Sequence, residues 1–309
     1  MSKSNLLVTG GTGLVGTALR ELAPEAVYVS RKDADLTDLS QVRALFKKFE
    51  PSQVIHLAAK VGGVRRNAEQ NADMLAVNVQ INANVLSVAQ EFKVQKLVGL
   101  LSSCTFQENP PRPPTEKDTQ KGTPYHGHAG YAFSKRLLDL QIHLLHEQYG
   151  SRFTSILPVT IFGPGGNWDL QGSHVCEALI RKCTLAQKNR TPLEVWGSGK
   201  AVRQFVYSGD VARVILEVLK NYDDPETIIV TPDQGITIKA LAERIAKTME
   251  FKGPIRYDAS QPEGQRKKVL NGAKFKKVFP KFKFTPWEDA LRSTADWFKN
   301  HYPENAKKS

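Results

Sequence analysis

Tyr131 and Lys135 stand at i and i+4 in a segment whose periodicity predicts a helix over Tyr131–Tyr149, so both project from one face. A free phenol titrates near about 10. A neighbouring ammonium favours the phenolate, so the pair is suited to exchange a proton with a carbonyl oxygen near neutral pH. Ser102 follows the predicted strand Lys96–Leu101, and its hydroxyl can hydrogen-bond the same oxygen, because parallel sheets place ligand sites at their carboxyl edge.

A carbonyl protonated on oxygen must receive a hydride on carbon, and residues suited to a hydride carrier lie at the start of the chain. Gly10-Gly11-Thr12-Gly13-Leu14-Val15-Gly16 contains GxxGxxG between a predicted strand and a predicted helix. Gly10 permits the tight turn, Gly13 lets the backbone approach a pyrophosphate, and Gly16 lets the helix pack closely on the strand. The helix N-terminus offers free N–H groups to the phosphates. Thr12, Leu14 and Val15 complete this cradle. The next strand, Ala26–Ser30, runs into Arg31-Lys32. A site for NAD places an acidic residue there, whereas a basic one suits a 2′-phosphate. Arg31 is therefore the candidate selector for NADP(H), against the reading of a solvated turn arginine. Asp35-Leu36 follow at a spacing suited to contact adenine.

The elements that must hold these groups alternate. Strands are expected at Asn5–Thr9, Ala26–Ser30, Val54–Ala58, Lys96–Leu101 and Phe153–Pro158, and helices at Leu14–Leu22, Leu39–Phe49, about 72–92 and Tyr131–Tyr149. This pattern predicts an α/β fold with a Rossmann-type, doubly wound parallel sheet. Gly163-Pro164-Gly165-Gly166-Asn167 interrupts it. Arg203–Tyr207 and Thr227–Val230 read as strands flanking a helix, Val211–Tyr222, that can rejoin the sheet. The expected division is an NADP-binding domain over 1–163 and 204–232, with a smaller C-terminal α/β substrate lobe over 164–203 and 233–309.

Composition limits the possibilities. The chain has 309 residues, 40% hydrophobic and 24% charged, which excludes a disordered or collagen-like protein. No apolar run reaches the roughly 18–20 residues of a membrane helix. The start carries no visible export signal, and Cys104, Cys176 and Cys183 form no paired framework, so a reduced cytoplasmic setting is expected. Net charge is +12, and residues 251–309 hold 14 Lys or Arg against 6 Asp or Glu. That tail suits an anionic ligand or a solvated face equally well. His126-Gly127-His128 lacks a third and fourth metal ligand and reads as a polar loop near the site mouth; no metal is expected.

The glycine cradle, Ser102, Tyr131 and Lys135 resemble the extended short-chain dehydrogenase/reductase family, and His56-Leu57-Ala58-Ala59 fits the same pattern. Further segments narrow the resemblance to its GDP-sugar epimerase-reductases. They are Ala59-Lys60-Val61-Gly62-Gly63-Val64, Ser102-Ser103-Cys104, Asn167 to Val175, Val195-Trp196-Gly197-Ser198-Gly199 and Arg203-Gln204-Phe205. The resemblance implies epimerisation of GDP-4-keto-6-deoxy-D-mannose at C3 and C5, then reduction of C4 by NADPH to give GDP-L-fucose. It implies Cys104 as base and His174 as acid, with Ser102, Tyr131 and Lys135 completing the catalytic set. A thiolate is then needed, and His174 or the nicotinamide is expected to lower the Cys104 pKa. Leu57, Ala58, Ala59, Pro158 and His174 are implied against the cofactor. Ser103, Asn167, Lys182, Trp196, Arg203 and Lys268 are implied against the nucleotide sugar, Arg203 gripping the diphosphate. Phe106 departs from the pattern, since many relatives carry Tyr there. The resemblance also implies a homodimer paired through helices of the cofactor domain, with neither nucleic acid nor membrane as partner. Another nucleotide-sugar epimerase or reductase would need Tyr131 and Lys135 but not Cys104 and His174. A dinucleotide sensor or nucleic-acid-binding protein would have no use for the proton relay.

Overall fold

The computed structural model describes residues 5–170, 172–232, 235–261 and 263–302. The segment Asn167 to Val175 is therefore described except at Gln171, which lies outside the described residues with both chain ends. In chain order the strands are β1 (Leu6–Thr9), β2 (Val27–Val29), β3 (Gln53–His56), β4 (Lys96–Leu100), β5 (Phe153–Pro158), β6 (Thr160–Phe162), β7 (Leu193–Trp196), β8 (Val202–Arg203), β9 (Phe205–Tyr207), β10 (Ile228–Val230), β11 (Ile236–Thr237), β12 (Ile255–Asp258) and β13 (Lys267–Lys268). The helices are α1 (Leu14–Leu22), α2 (Leu39–Phe49), α3 (Val64–Glu69), α4 (Asn71–Glu91), α5 (Ala129–Tyr149), α6 (Val175–Asn189), α7 (Ser208–Asn221), α8 (Ile238–Thr248), α9 (Ala273–Val278) and α10 (Trp287–His301).

The main sheet has six parallel strands in the order β10-β5-β4-β3-β1-β2. β5 is buried at every position, as expected when helices cover both faces. β2 lies on one side of β1 and β3 on the other, so the strand order reverses at β1. The crevice beyond the carboxyl ends of β1 and β3 is the place where such sheets take ligands. β10 brings Val230 beside Pro158 at the far edge.

Local chemistry sets the helix ends. The Asp38 carboxylate accepts from the Ser40 and Gln41 amides and caps α2, which stops at Glu50 in the left-handed region. The expected strand Arg203–Tyr207 is instead two strands broken at Gln204. The Gln204 amide accepts from the Leu270 N–H at 2.7 Å and donates to the Leu270 carbonyl at 3.2 Å. This side chain ties the break to a segment 66 residues away, so β8 joins β11 and β13 while β9 pairs with β6. The third strand also ends early, at His56, leaving Leu57–Ala59 free to line the crevice.

Buried apolar side chains form two clusters. One fills the main sheet and its helices. The other gathers Trp168, Cys176, Cys183, Leu241 and Phe298 between α6, α8 and α10. Cys104 follows β4 in the first region, while His174 caps α6 and Lys268 lies on β13. Among the described residues, no helix is long and apolar enough to cross a membrane, and no group of three His, Cys, Asp or Glu is placed to hold a metal.

Candidate active site

The crevice is lined on one side by backbone. Gly10 has φ +71, and a Cβ there would lie 2.8 Å from the Ala58 nitrogen, so the turn after β1 presses against the turn after β3. A Cβ on Gly16 would meet the Gly10 carbonyl oxygen at 2.8 Å, which fixes α1 close under β1. Gly13 is different: a Cβ there would touch only the Gly10 oxygen, at 3.4 Å, and Thr12 and Gly13 are exposed. No side chain caps α1, and its first turn carries no acid. Its first amides are left without a side-chain cap beside an open glycine, which fits a dinucleotide pyrophosphate.

At the end of β2 the Asp33 carboxylate accepts from the Ser30 amide at 2.7 Å and the Ser30 hydroxyl at 2.8 Å. Arg31 projects exposed beside this closed turn. Asp35 is engaged locally, accepting from the Thr37 amide and hydroxyl, while Leu36 is buried.

Below the crevice a polar chain joins three elements. His56 Nδ1 lies 2.8 Å from Thr9 Oγ1, and Nε2 lies 3.1 Å from Asn82 Oδ1. The Asn82 amide donates to the Ser134 carbonyl of α5 at 3.1 Å. Complete burial pushes the His56 pKa down to about 3, aided by the Lys135 charge, so the ring is neutral. Asn78 brackets Lys60, accepting from its N–H at 2.7 Å and donating to its carbonyl at 3.0 Å, and so fixes the turn after β3.

Lys135 is only 2% exposed and donates to the Leu100 carbonyl at 2.7 Å, at the end of β4. Burial lowers its pKa to about 8. Its Nζ lies 5.8 Å from the centre of the Tyr131 ring. The expectation that Lys135 lowers the Tyr131 pKa is not met. Burial and the Cys104 charge raise it above the ordinary phenol value, against a hydrogen bond with Ser102. Lys135 is turned toward the strand end, so Tyr131 rests protonated as a donor.

Cys104 lies in a 3-10 turn, Ser103–Thr105, opened by Ser102, whose hydroxyl accepts from the Cys104 amide at 3.3 Å. Lys268 Nζ donates to Cys104 Sγ at 3.5 Å. Burial opposes ionisation of the thiol. The Lys268 ammonium, a hydrogen bond and charge from His128, and the Ser102 hydroxyl outweigh it and hold the pKa well below the ordinary thiol value. The structure thus adds Lys268 to the positive neighbours expected at Cys104. His174 is exposed to solvent by surface area; atoms packed around its ring lower its pKa by desolvation, and the Cys104 charge opposes that shift. His128 lies in the segment expected as a polar loop, and its effect on Cys104 was not among the expectations. Its position three residues before Tyr131, at the start of α5, was the available signal.

The nucleotide-sugar candidates spread over the second region. Arg203 and Lys268 are register partners on β8 and β13. Arg203 donates to the Val202 carbonyl at 2.9 Å and is desolvated beside Glu263. Lys182 lies 4.3 Å over the Trp196 ring, which is 46% exposed. Asn167 folds on its own loop through Asp169 and Gly172. Ser103 is buried beneath Cys104. The loop that carries His174 touches the turn after β3, since a Cβ on Gly63 would lie 2.9 Å from the Gly172 oxygen.

A parallel sheet with a glycine cradle at its switch point and a Ser–Tyr–Lys group beside it defines a dinucleotide-dependent enzyme. The chain belongs to the NAD dependent epimerase/dehydratase family, whose model matches residues 6–230. Within it, the chain is 38% identical to GDP-L-fucose synthase of Dictyostelium discoideum, over 99% of this chain and 98% of that one. It is 40% identical to a probable GDP-L-fucose synthase of Drosophila melanogaster, over 98% and 99%. The crystal structure of a GDP-L-fucose synthetase from Naegleria fowleri bound to NADP superposes with a TM-score of 0.91 at 36% identity, covering 98% of this chain and 94% of that one.

Proposed function

We propose that the protein is an NADPH-dependent GDP-L-fucose synthase that epimerises GDP-4-keto-6-deoxy-D-mannose at C3 and C5 and reduces C4. The observation that carries this reading is Cys104, whose sulfur accepts from the Lys268 ammonium at 3.5 Å in a turn opened by Ser102. A simple ketone reductase has no need of it. The C4 ketone acidifies the hydrogens at C3 and C5. The Cys104 thiolate takes one of these protons, and the bonding pair moves to the C4 oxygen as an enolate. Ser102 and Tyr131 donate hydrogen bonds to that oxygen. His174 returns a proton to the opposite face. After both centres have inverted, Tyr131 gives its proton to the C4 oxygen; NADPH, when bound, supplies the hydride to C4. Enolate and alkoxide form on the same oxygen, so one site serves both reactions.

Gly10, Thr12, Gly13, Leu14, Val15 and Gly16 would hold the pyrophosphate, and Arg31 the 2′-phosphate, with Asp35 and Leu36 toward adenine. Leu57, Ala58, Ala59, Pro158 and Lys135 would border the nicotinamide half. Arg203 and Lys182 carry charge suited to the GDP diphosphate, Trp196 offers a stacking face, and Asn167, Ser103 and Lys268 complete the sugar side. Residues 1–163 and 204–232 then serve the cofactor, and 164–203 and 233–309 the nucleotide sugar. A homodimer is supported by Phe133, Leu137, Leu140 and Leu144, which form an exposed apolar stripe along α5. Three free cysteines fit a cytoplasmic setting.

Incubation with NADPH and GDP-4-keto-6-deoxy-D-mannose, followed by loss of the reduced-nicotinamide absorbance and NMR of the sugar, tests the reading. GDP-L-fucose is the expected product. Cys104→Ser should block its formation while NADPH still binds. An unepimerised 6-deoxy sugar, or normal turnover by both Cys104→Ser and His174→Gln, would make the enzyme a reductase only.

A further inference from the structure

Leu101 to Cys104 form a short arc that carries both Ser102 and Cys104, and α5 holds it at both ends. Lys135 donates to the Leu100 carbonyl at 2.7 Å, just before the arc. Arg136, the next residue of α5, donates through Nε to the Thr105 carbonyl at 2.8 Å, just after it. We propose that Arg136 is a positioning residue for Cys104, fixing the sulfur relative to Tyr131 on the same helix and so serving epimerisation rather than reduction. This deepens the function proposed above and rests on it for the role of Cys104 as base.

The two ends of the arc are held differently. The Ser102 end is also secured by the sheet, since the Leu101 N–H donates to the Ile156 carbonyl at 2.8 Å. The Cys104 end leads away from the sheet into residues 106–120, and Arg136 gathers this excursion at its neck. Its Nη1 donates to the Gly122 carbonyl at 2.8 Å and its Nη2 to the Lys121 carbonyl at 2.7 Å. The Gln120 amide donates in return to the Arg136 carbonyl at 3.1 Å. Within the turn, the Thr105 N–H and hydroxyl both donate to the Ser102 carbonyl, at 3.1 and 3.0 Å, so a shift of Thr105 is passed to Cys104 between them. Arg136 is 6% exposed and Thr105 is fully buried, so water does not compete for these bonds. Burying a cation against neutral carbonyls is costly. A guanidinium nevertheless suits the place, because its planar donors engage three carbonyls at once. Proton abstraction from carbon needs a closely placed base, and a displacement of about 1 Å can cost about a hundredfold in rate. Tyr131 and Lys135 lie on α5 itself, which Asn82 ties through the Ser134 carbonyl at 3.1 Å, so their placement does not depend on the Arg136 fork.

The test compares the full chain with Arg136→Met, which keeps an apolar stem but none of the donors. Deuterium wash-in at C3 and C5 of the keto sugar in heavy water should slow by about a hundredfold. Single-turnover NADPH oxidation and NADPH affinity should be nearly unchanged, so the product shifts toward an unepimerised 6-deoxy sugar. A merely structural tie would lower both rates together. That outcome, or wash-in at the wild-type rate, overturns the assignment. Arg136→Lys, which keeps the charge and can reach one carbonyl, should regain part of the wash-in, and it is read by the same criteria if the methionine variant misfolds. Iodoacetamide alkylation of Cys104, followed against pH, needs no sugar. Its inflection should move upward in the variant as the sulfur leaves Lys268, and an unmoved inflection counts against the assignment. Cys176 and Cys183 are buried and their pKa values are raised, which keeps them silent. No wash-in by the wild type would instead sink the proposed function, and the alkylation profile would then decide whether Arg136 places the sulfur.

Discussion

The two sides of the crevice are built by opposite means. The cofactor side is backbone: the turn after β1, the uncapped amides of α1 and the abutting turn after β3 leave open space where Gly13 lacks a side chain. The proton-transfer side is made of side chains brought from distant parts of the chain. Lys268 reaches Cys104 across 164 residues, His128 and Tyr131 come from the start of α5, and His174 from the start of α6. A surface made of backbone tolerates most side-chain changes and fails at glycines. A cluster of side chains fails one residue at a time, and each loss shifts the ionisation of the others.

That contrast can be broken from either side. The largest effect is expected from Tyr131→Phe, which removes the only proton donor assigned to the C4 oxygen. Single-turnover reduction should fall by about a thousandfold, with NADPH affinity nearly unchanged. Reduction at the wild-type rate would remove Tyr131 from the mechanism. Gly10→Ala should come next, because a left-handed backbone and a 2.8 Å contact with Ala58 both oppose the methyl group. A loss of about 3 kcal/mol in urea denaturation is expected, together with weaker NADPH binding. Equal stability would mean that the β1 turn can relax.

Acidification tests the polar chain beneath the site. His56 has a folded pKa of about 3 against 6.5 when free, so the unfolded chain binds the extra proton between these values. Its contribution is fully present above 6.5 and declines as pH falls toward 3. Between pH 7 and pH 5 the loss should be about 2 kcal/mol. His56→Gln should flatten that part of the urea-midpoint profile, and an unchanged slope would point to another group. The smallest effect belongs to Arg31→Ala. It should reduce the preference for NADPH over NADH by about tenfold in kcat/KM, within the span of a lost charge-assisted hydrogen bond. An unaltered ratio would leave Arg31 as a solvated turn residue.

The same contrast explains what could be read from the sequence. The bounds of α1, α2 and β5 follow from local apolar spacing and from the residues that flank them, and the structure keeps them. The glycine cradle was legible for the same reason: strand, turn and helix are contiguous. The break at Gln204 was hidden because its cause is a pair of hydrogen bonds to Leu270. The state of Tyr131 was misjudged because spacing reports that Lys135 shares its helix face, not that the ammonium is drawn to Leu100. Cys104 was found through the resemblance, but the charge that ionises it sits on β13, and no local pattern connects the two segments.

The Lys268–Cys104 contact spans the two regions of the molecule, since β13 stands with the second region and Cys104 follows the main sheet. Any excursion that parts them withdraws the ammonium from the sulfur. The largest charge that lowers the Cys104 pKa is then gone, and with it part of the sulfur's reactivity toward peroxides and electrophiles, whose attack requires the thiolate. The reactivity of the sulfur is thus a property of two distant segments held together, not of the turn that carries it.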